Sequence, residues 1–409
     1  MQIFRQFSFA IIILIAFTLG SNAQTSFDFS HYESFLKEHI DQGKIAGAVS
    51  LVSQGDRIVH DQSYGYDNIV EKSPMTSDKL FYIQSMTKPI VSVAFMTLYE
   101  QGHFSLTDPV SKFIPEFENL KVIEVQTGED GTPTGVEYVD LVRPVEIWHL
   151  LSHTAGFSHG LGPHEYDQKL SALLYPEMQE KPGHANIESR VKALMSYPLM
   201  GQPGEQWNYS ASPDVLAYLI QIITGKNAEQ YLQEVVFDPL GMTTAGYNVK
   251  DQHMDRVAGL HMMSEAGELA PVPQWSPLQG NTVFGGTHGL FCSAEDYMTF
   301  SRMLVNGGSY KGTRILSPKT IELMTESFTD EVVFRPGHEF GLGFGVRTDV
   351  GQSKLSGSEG AYYWGGAFNT YFFVDPEEDL VAILMTQSWP YTDFYANKLR
   401  QMVYSAMSN

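Results

Sequence analysis

The chain has 409 residues, of which 43% are hydrophobic and 12% aromatic, so it is long enough to bury a large core in one or two domains. Its 47 acidic side chains outnumber its 26 basic ones, giving a formal net charge of −21, which disfavours nucleic acid and anionic membrane surfaces as partners. The acidity also disfavours acidic substrates unless a local basic patch exists, and its simplest role is solubility.

Residues 1–23 have the pattern of a secretory signal peptide. Arg5 is their only charge, the run from Phe7 to Leu19 is almost wholly apolar, and Ser21 and Ala23 stand at the −3 and −1 positions of a cleavage site. An anchor helix is disfavoured because an apolar core of about a dozen residues is shorter than the roughly 20 that cross a bilayer. We therefore expect a periplasmic or secreted protein, with no membrane insertion after signal removal.

A helix and a hairpin are the first elements predicted after the signal. Apolar residues between Phe27 and Asp41 have helical spacing, and AGAVSLVSQGDRIVHDQSYGY alternates around Gly55 as the strands of a hairpin do. A sheet is therefore expected to begin near the N-terminus.

From Ser85 to about Pro277 the recognisable elements are helices. They lie in MTKPIVSVAFMTLYEQG, PVEIWHLLSHTAG, IESRVKALMSYP and SPDVLAYLIQIITG. The last has Ser212 as predicted N-cap, Pro213 in its first turn and Gly225 as its stop. KVIEVQTGEDGTPTGVEYVDL predicts a small inserted hairpin.

Strands return in the C-terminal part of the chain. Helices in SAEDYMTFSRMLVNGG and SPKTIELMTES precede strands in FGLGFGVRTD, AYYWGGAFNTYFFVD and DLVAILMTQS, and a closing helix covers about 394–406. The order predicts an α/β protein of the α+β type, with an antiparallel sheet built from both ends of the chain and flanked by helices. We predict a sheet-containing domain of residues 24–84 plus 286–409, an inserted, mainly helical domain of residues 85–285, and a cleft at their junction.

The spacing Ser-x-x-Lys occurs three times, and Ser85 to Lys88 is the informative case. Residues 34–37 and 189–192 lie within amphipathic helices, where solvated Ser and Lys are expected. Pro89 is tolerated only near a helix start, which places Ser85 at a helix N-terminus that favours a developing negative charge. Lys88 lies on the same face of the helix, and its apolar flanks are expected to lower its pKa. A fall of about 3 units corresponds to a preference of about 4 kcal/mol for the neutral amine, which makes Lys88 a base near neutral pH. The pair has the chemistry of a nucleophile and its activator.

Two other hydrolase patterns fit less well. GFSHG, residues 156–160, satisfies G-x-S-x-G, but that elbow needs a strand before and a helix after its serine, whereas Ser158 follows a helix end and precedes a glycine-rich loop. His159 and His164 are close in sequence, yet there is no His-Glu-x-x-His and no Cys pair. We expect both histidines in an exposed loop, and no metal site.

The segment SMTK and its context resemble the serine motif of the serine beta-lactamase-like family, which includes class C beta-lactamases, D,D-peptidases and family VIII carboxylesterases. In PGEQWNYSASPDVLAYL, Tyr209 precedes a helix and matches the family's catalytic tyrosine. LLSHTAGF, GGTHGLFCSAEDYMTF and RILSPKTIELM resemble further family segments that we take as scaffold, and the likeness runs from about residue 30 to 405. His153 is left out of the implied mechanism.

The segment YYWGGAFNTYF resembles the family's third element. Its two glycines indicate either close approach of a ligand to the backbone or a simple bulge. Lactamases and peptidases of the family have a Lys or His, a Ser or Thr, and a Gly where this chain has Trp364, Gly365 and Gly366. By this match the N–H groups of Ser85 and Ala367 form an oxyanion hole, in which one donor is worth on the order of 3 kcal/mol.

Two departures from the family pattern favour ester substrates. The lactamase tyrosine motif ends in Asn, but here it reads Tyr209-Ser210-Ala211, which removes a contact to a substrate amide. Trp364 replaces a cation that would bind the carboxylate of beta-lactams and peptide C-termini. The resemblance, closest to the family VIII esterases, implies an exported serine carboxylesterase for small neutral esters. In the implied mechanism Ser85 attacks, Lys88 and Tyr209 move its proton, and Tyr209 is the base in deacylation.

Alternatives remain within the same fold. They are a D,D-peptidase or D-amino peptidase, a beta-lactamase and, less favoured because Ser, Lys and Tyr are all present, a non-catalytic binding module. The expected partner is a small-molecule ester, without a cofactor. The segment 160–187 is a candidate to line or cover the cleft, and Cys292, the only cysteine, cannot form an internal disulfide.

Overall fold

The computed structural model describes residues 26–128, 133–162, 165–329 and 334–408. The predicted signal peptide and His164 lie outside these described residues. Within them, no helix combines the length and the apolar character needed to pass through a bilayer.

Helices occupy the middle of the chain and both of its ends. In chain order they are α1 (Ser30–Asp41), α2 (Thr87–Glu100), α3 (Ile147–Leu151), α4 (Glu165–Leu174), α5 (Ile187–Met195), α6 (Ser212–Thr224), α7 (Ala228–Leu232), α8 (Asp238–Leu240), α9 (Ala294–Val305), α10 (Pro318–Thr325), α11 (Val350–Ser353) and α12 (Asp393–Ala406).

The strands are mostly short. In chain order they are β1 (Ser26–Phe27), β2 (Gly47–Gln54), β3 (Arg57–Asn68), β4 (Ser73–Pro74), β5 (Leu80–Tyr82), β6 (Lys121–Thr127), β7 (Pro133–Asp140), β8 (Leu260–Met263), β9 (Leu269–Val272), β10 (Phe291–Ser293), β11 (Ser309–Tyr310), β12 (Thr313–Arg314), β13 (His338–Phe340), β14 (Gly345–Arg347), β15 (Tyr362–Gly366), β16 (Thr370–Asp375), β17 (Leu380–Met385), β18 (Ser388–Trp389) and β19 (Met407–Ser408).

Strands from both ends of the chain form one antiparallel sheet, and this predicted feature is confirmed. Its order is β13-β14-β15-β16-β17-β2-β3-β4. The two ends of the chain meet where β17 pairs with β2, with Met385 opposite Val49. The predicted hairpin β2–β3 turns at Gly55, whose φ of +54° favours glycine.

Alternating side chains on the central strands divide the interior into two cores. On β17, Val381 and Ile383 face the larger core, and Leu380, Ala382 and Leu384 face the smaller one. Helices α1 and α12 cover the smaller core, whereas α9 and the helices of the middle segment pack into the larger one. Helix α2 is buried from residue 87 to residue 98, so it crosses the molecule as a central helix.

The helical predictions of the middle segment correspond to α2, α3, α5 and α6, with two differences. Helix α6 ends before Gly225, as predicted, but its N-cap is Ala211 rather than Ser212, whose hydroxyl bonds Ser210 Oγ at 2.8 Å. Besides the predicted hairpin β6–β7, the segment contains β8 and β9, and β8 pairs in parallel with β18. These strands of four residues are too short to show a period of two. The proposed domain boundaries stay a prediction.

Candidate active site

Ser85 lies in a short 3-10 turn, residues 84–86, between β5 and α2. The preceding Gln84 has a φ of +48°, a left-handed conformation that costs a residue with a side chain about 1–2 kcal/mol and that is frequent near functional sites. Pro89 is the third residue of α2, so the helix starts where its sequence predicts. Because Ser85 stands at this start, its N–H has no intrahelical acceptor.

Lys88 is a buried lysine whose amine contacts Ser85. The side chain is 2% exposed, and its Nζ lies 3.0 Å from Ser85 Oγ and 2.8 Å from the carbonyl oxygen of Thr287. Burial lowers the pKa of Lys88 to about 7, although the negative charge of Asp214 opposes this shift. A large share of the amine is therefore neutral at pH 7 and able to accept a proton.

Tyr209 approaches Ser85 from the loop before α6. Its O–H donates to Ser85 Oγ at 2.6 Å, and Lys88 Nζ lies 4.5 Å from the centre of its ring. Burial raises the pKa of Tyr209, against the smaller opposing effect of its hydrogen bond with Ser85. Tyr209 is thus a proton donor at neutral pH, whereas Lys88 is the group able to accept a proton. The role of Tyr209 as the base in deacylation stays a prediction.

His153 positions the loop that carries Tyr209. His153 is 2% exposed. Its imidazole Nδ1 lies 2.9 Å from Ser210 Oγ, and its backbone carbonyl oxygen accepts the Asn208 N–H at 2.9 Å. Burial holds the pKa of His153 well below its usual value. Among the described residues its side chain makes no hydrogen bond to Ser85, in keeping with its omission from the implied mechanism.

A buried ion pair contacts Thr287, the residue that binds the Lys88 amine, and it was not predicted from the sequence. Arg190 Nε lies 2.6 Å from Asp214 Oδ2, with both side chains almost fully buried. The other oxygen of Asp214 accepts the N–H of Thr287 at 2.8 Å. The ion pair therefore helps to fix Thr287, the residue whose carbonyl oxygen accepts a hydrogen bond from the Lys88 amine. Both residues lie on helices, where a charge is usually solvated, and they are 24 positions apart, so no local pattern in the sequence indicated the pair.

Strand β15 brings residues 364–366 beside Ser85. It pairs with β16 without interruption, so the simple bulge considered from the sequence is excluded. A Cβ atom at Gly366 would overlap the carbonyl oxygen of Ile83, which shows that the glycine allows two backbones to touch next to the Ser85 turn. The strand ends at Gly366, and Ala367 begins the turn to β16.

Ser85 opens into a cavity of about 450 Å³ whose lining includes Trp364, Gly365, Gly366 and Ala367. The indole of Trp364 is 9% exposed, and its ring lies 5.5 Å from that of Tyr209. The walls are largely aromatic and include Trp207, Phe334, Tyr371 and Trp389. Two arginines, Arg335 and Arg400, also line the cavity, and no pattern in the sequence predicted this position for them.

The position of His159, in the loop after α3, differs from the prediction. His159 was expected to be exposed, but it lines the cavity with its ring 5.3 Å from that of Tyr209, because this loop folds back over the tyrosine. Leu161 also lines the cavity, so part of the 160–187 segment does border the cleft. Ser158 is 4% exposed and donates to Asp167 at 2.5 Å, with no strand before it, which excludes the elbow interpretation.

The lysines of the other two Ser-x-x-Lys motifs form salt bridges on the protein surface. Lys37 pairs with Glu33 at 3.3 Å, and Lys192 pairs with Glu188 at 2.6 Å, so neither of these two lysines is paired with the serine of its own motif. In the described ranges, no group of three or more His, Cys, Asp or Glu is placed to hold a metal ion. Cys292 is buried and free.

The fold and the Ser85–Lys88–Tyr209 cluster define a serine hydrolase of the beta-lactamase type. The sequence profile of the Beta-lactamase family matches residues 32–405. The chain belongs to that family.

Similar proteins cover nearly the whole chain. Protein Rv1367c of Mycobacterium tuberculosis (strain ATCC 25618 / H37Rv) is 32% identical over 374 residues, which cover 88% of this chain and 90% of that protein. Esterase EstB of Burkholderia gladioli is 24% identical over 375 residues, covering 87% and 89%. The solved structure of EstCE1, a hydrolase with promiscuous acyltransferase activity, has a TM-score of 0.75 at 24% identity and covers 91% of this chain and 97% of its own.

Proposed function

We propose that this protein is a serine carboxylesterase that cleaves small esters through a covalent acyl-enzyme on Ser85. The observation that carries the proposal is the position of Ser85 Oγ, 3.0 Å from the Lys88 amine and 2.6 Å from the Tyr209 hydroxyl, at the wall of an aromatic cavity. The similarity to an esterase supports the same assignment.

The geometry supports a two-step reaction. Ser85 Oγ attacks the ester carbonyl carbon while its proton passes to the neutral amine of Lys88. The N–H groups of Ser85 and Ala367 stabilise the oxyanion. Tyr209 gives its proton to the departing alkoxide and regains one from Lys88, so the alcohol leaves and the acyl group stays on Ser85. Water then attacks the acyl-enzyme, loses its proton to the Lys88–Tyr209 pair and releases the acid, and Ser85 recovers its proton.

The walls beside the reacting carbonyl favour a neutral ester over a lactam or a peptide. Trp364 presents an apolar surface where the resembling lactamases and peptidases have a cation for a substrate carboxylate, and Ala211 supplies no amide contact. A carboxylate attached next to the scissile bond would lose water there without gaining an ion pair. Beta-lactamase and D,D-peptidase activities are therefore the less favoured alternatives.

A second candidate reaction is acyl transfer to an alcohol, which shares the same acyl-enzyme. The aromatic side chains around Ser85 reduce the water near the acyl group and favour an organic acceptor. EstCE1, whose fold is similar, is a hydrolase with promiscuous acyltransferase activity. Adding a short alcohol during ester cleavage and measuring the new ester by chromatography tests this candidate; free acid as the sole product at every alcohol concentration would rule it out.

We also propose that the protein is exported to the periplasm or secreted, with the signal removed after Ala23. The support is the apolar run and the small residues of the leader. Mass spectrometry of the protein recovered outside the cytoplasm is expected to find Gln24 at or near the N-terminus. An intact Met1 on the exported protein would contradict cleavage.

The esterase proposal is tested with three substrate types under identical conditions. We expect rapid turnover of short p-nitrophenyl esters, and slow or no turnover of a chromogenic cephalosporin and of peptides ending in D-Ala-D-Ala. A fluorophosphonate probe is expected to label Ser85, and Ser85→Ala is expected to abolish labelling. Efficient lactam cleavage without esterase activity would refute the proposal, and failure of the probe to label any serine would favour a binding module.

A further inference from the structure

The cavity that starts at Ser85 extends past β15 to the opposite face of the sheet. Strand β14 pairs with β15 only at Tyr362 and Tyr363, so in the described part of the chain residues 364–366 have a hydrogen-bonded neighbour on one side alone. The cavity passes this open edge. One wall is Trp364 and the other is Tyr363, whose side chains point to opposite faces.

Arg400 lies at the far end of the cavity and is 4% exposed. Its guanidinium carbon is 3.9 Å from the centre of the Tyr363 ring and 5.4 Å from that of Tyr371. The Nη2 atom has no hydrogen-bond partner among the described residues. A buried guanidinium that lacks an anion is costly, and contacts with aromatic faces offset only part of that cost. Arg400 therefore has hydrogen-bond donor capacity that the described residues do not use.

Among the described residues, no acidic side chain is paired with Arg400 at this end of the cavity. In the described part of the lining the acidic residue is Asp393, which accepts the Tyr391 hydroxyl at 2.5 Å and pairs with Arg335 at 3.8 Å. Burial, followed by the charges of nearby arginines with Arg400 foremost, lowers the pKa of His338 to about 3. The positive potential there contrasts with the net charge of −21 for the whole chain, and it is the local basic patch that an acidic protein would need to hold an anion.

We propose that Arg400 binds a carboxylate that the ester substrate carries at its end remote from the scissile carbonyl. The proposal rests on the esterase function and narrows its substrate to esters that are neutral at the reacting bond and anionic at the far end. The planar guanidinium can hold a carboxylate through two parallel hydrogen bonds. The remote anion belongs either to the acyl group or to the alcohol, and these two sources can be separated by experiment.

Two matched substrate pairs test the proposal. For the acyl side, mono-p-nitrophenyl glutarate is compared with p-nitrophenyl pentanoate, and for the alcohol side the butanoyl ester of p-hydroxybenzoate is compared with that of p-hydroxybenzamide. The wild-type protein is expected to prefer the charged member of one pair. In Arg400→Met the charged-to-neutral ratio of kcat/KM is expected to fall roughly tenfold to a hundredfold. Lys398→Met removes a cation from the same helix outside the cavity and is expected to keep the wild-type ratio.

Further measurements separate a failure of this proposal from a failure of the esterase function. Glutarate, but not glutaramide, is expected to raise the melting temperature of the wild-type protein, and Arg400→Lys is expected to retain part of the charged-substrate preference. Turnover of neutral esters with no preference for the charged member of either pair overturns the carboxylate site alone. An unchanged ratio in a folded Arg400→Met protein also overturns it. Glutarate binding without any ester turnover overturns the esterase function and supports the anion site.

Discussion

Replacing Lys88 by Met is expected to stabilise the protein at neutral pH while abolishing ester turnover. Burial lowers the pKa of Lys88 from 10.5 to about 7, which corresponds to about 5 kcal/mol at about 1.4 kcal/mol per unit. The folded state disfavours the charged amine, so the full cost is present below pH 7 and declines to zero as the pH rises towards 10.5. Methionine has a similar volume and no charge, and it removes this pH-dependent cost.

The assay is the free energy of unfolding from urea titrations between pH 6 and pH 10. Between about pH 7 and pH 10 the stability of the wild-type protein is expected to rise relative to Lys88→Met by about 1.4 kcal/mol per pH unit. Lys37→Met is the matched control, since Lys37 has the same Ser-x-x-Lys spacing but pairs with Glu33 on the surface. That variant is expected to differ from wild type by less than about 1 kcal/mol. Parallel stability curves for Lys88→Met and wild type would show that the Lys88 pKa is not lowered, and would refute the reasoning.

The remaining predictions concern activity. Ser85→Ala is expected to abolish ester turnover and Ser158→Ala to leave most of it, as judged by p-nitrophenol release; the reverse result would move the nucleophile to Ser158. Lys88→Arg is expected to lose several orders of magnitude, about as much as Lys88→Ala, because a guanidinium does not supply a neutral base near pH 7, and an active, folded arginine variant would contradict the base assignment. In the wild-type protein kcat/KM is expected to rise with pH through about 7, because the base must be neutral; a profile flat from pH 5 to pH 9 would argue against it. Gly366→Ala is expected to lower kcat about a hundredfold by displacing β15, whereas Gly135→Ala, with open space around its Cβ, serves as control; full activity of Gly366→Ala would show that the strand position is not critical.

The parts of the fold that were predictable are long, strongly apolar segments bounded by turn residues. Strand β17 is apolar at every position because both of its faces are buried, and helix α2 is mostly apolar because it is buried on all sides. Strands β8 and β9 were missed because each has four residues and is defined by tertiary pairing. The N-cap of α6 was displaced by one residue because Ser212 bonds another side chain instead of the helix N-terminus.

In the candidate site, local geometry was predictable and long-range contacts were not. Ser85 and Lys88 are one helical turn apart, so a short stretch of sequence fixes their proximity. Tyr209 and residues 364–366 were located through the family resemblance. The pairing of Arg190 with Asp214, and the places of His159 and Arg400 on the cavity wall, depend on how distant segments pack. A single sequence carries no local signal for such contacts.

The junction of β2 with β17 has a consequence for how the chain acquires its structure during synthesis. Across this junction the Ser50 hydroxyl donates a hydrogen bond to the carbonyl oxygen of Ile383, which is 333 positions further along the chain. At about 5–20 residues per second, the partner of β2 emerges roughly 20–70 seconds after β2 itself. Throughout that interval an apolar strand has an unpaired edge, which is a template for incorrect pairing with other chains. The edge of β2 is therefore covered only after β17 has been synthesised. The yield of folded protein depends on keeping this edge from pairing with other chains until then.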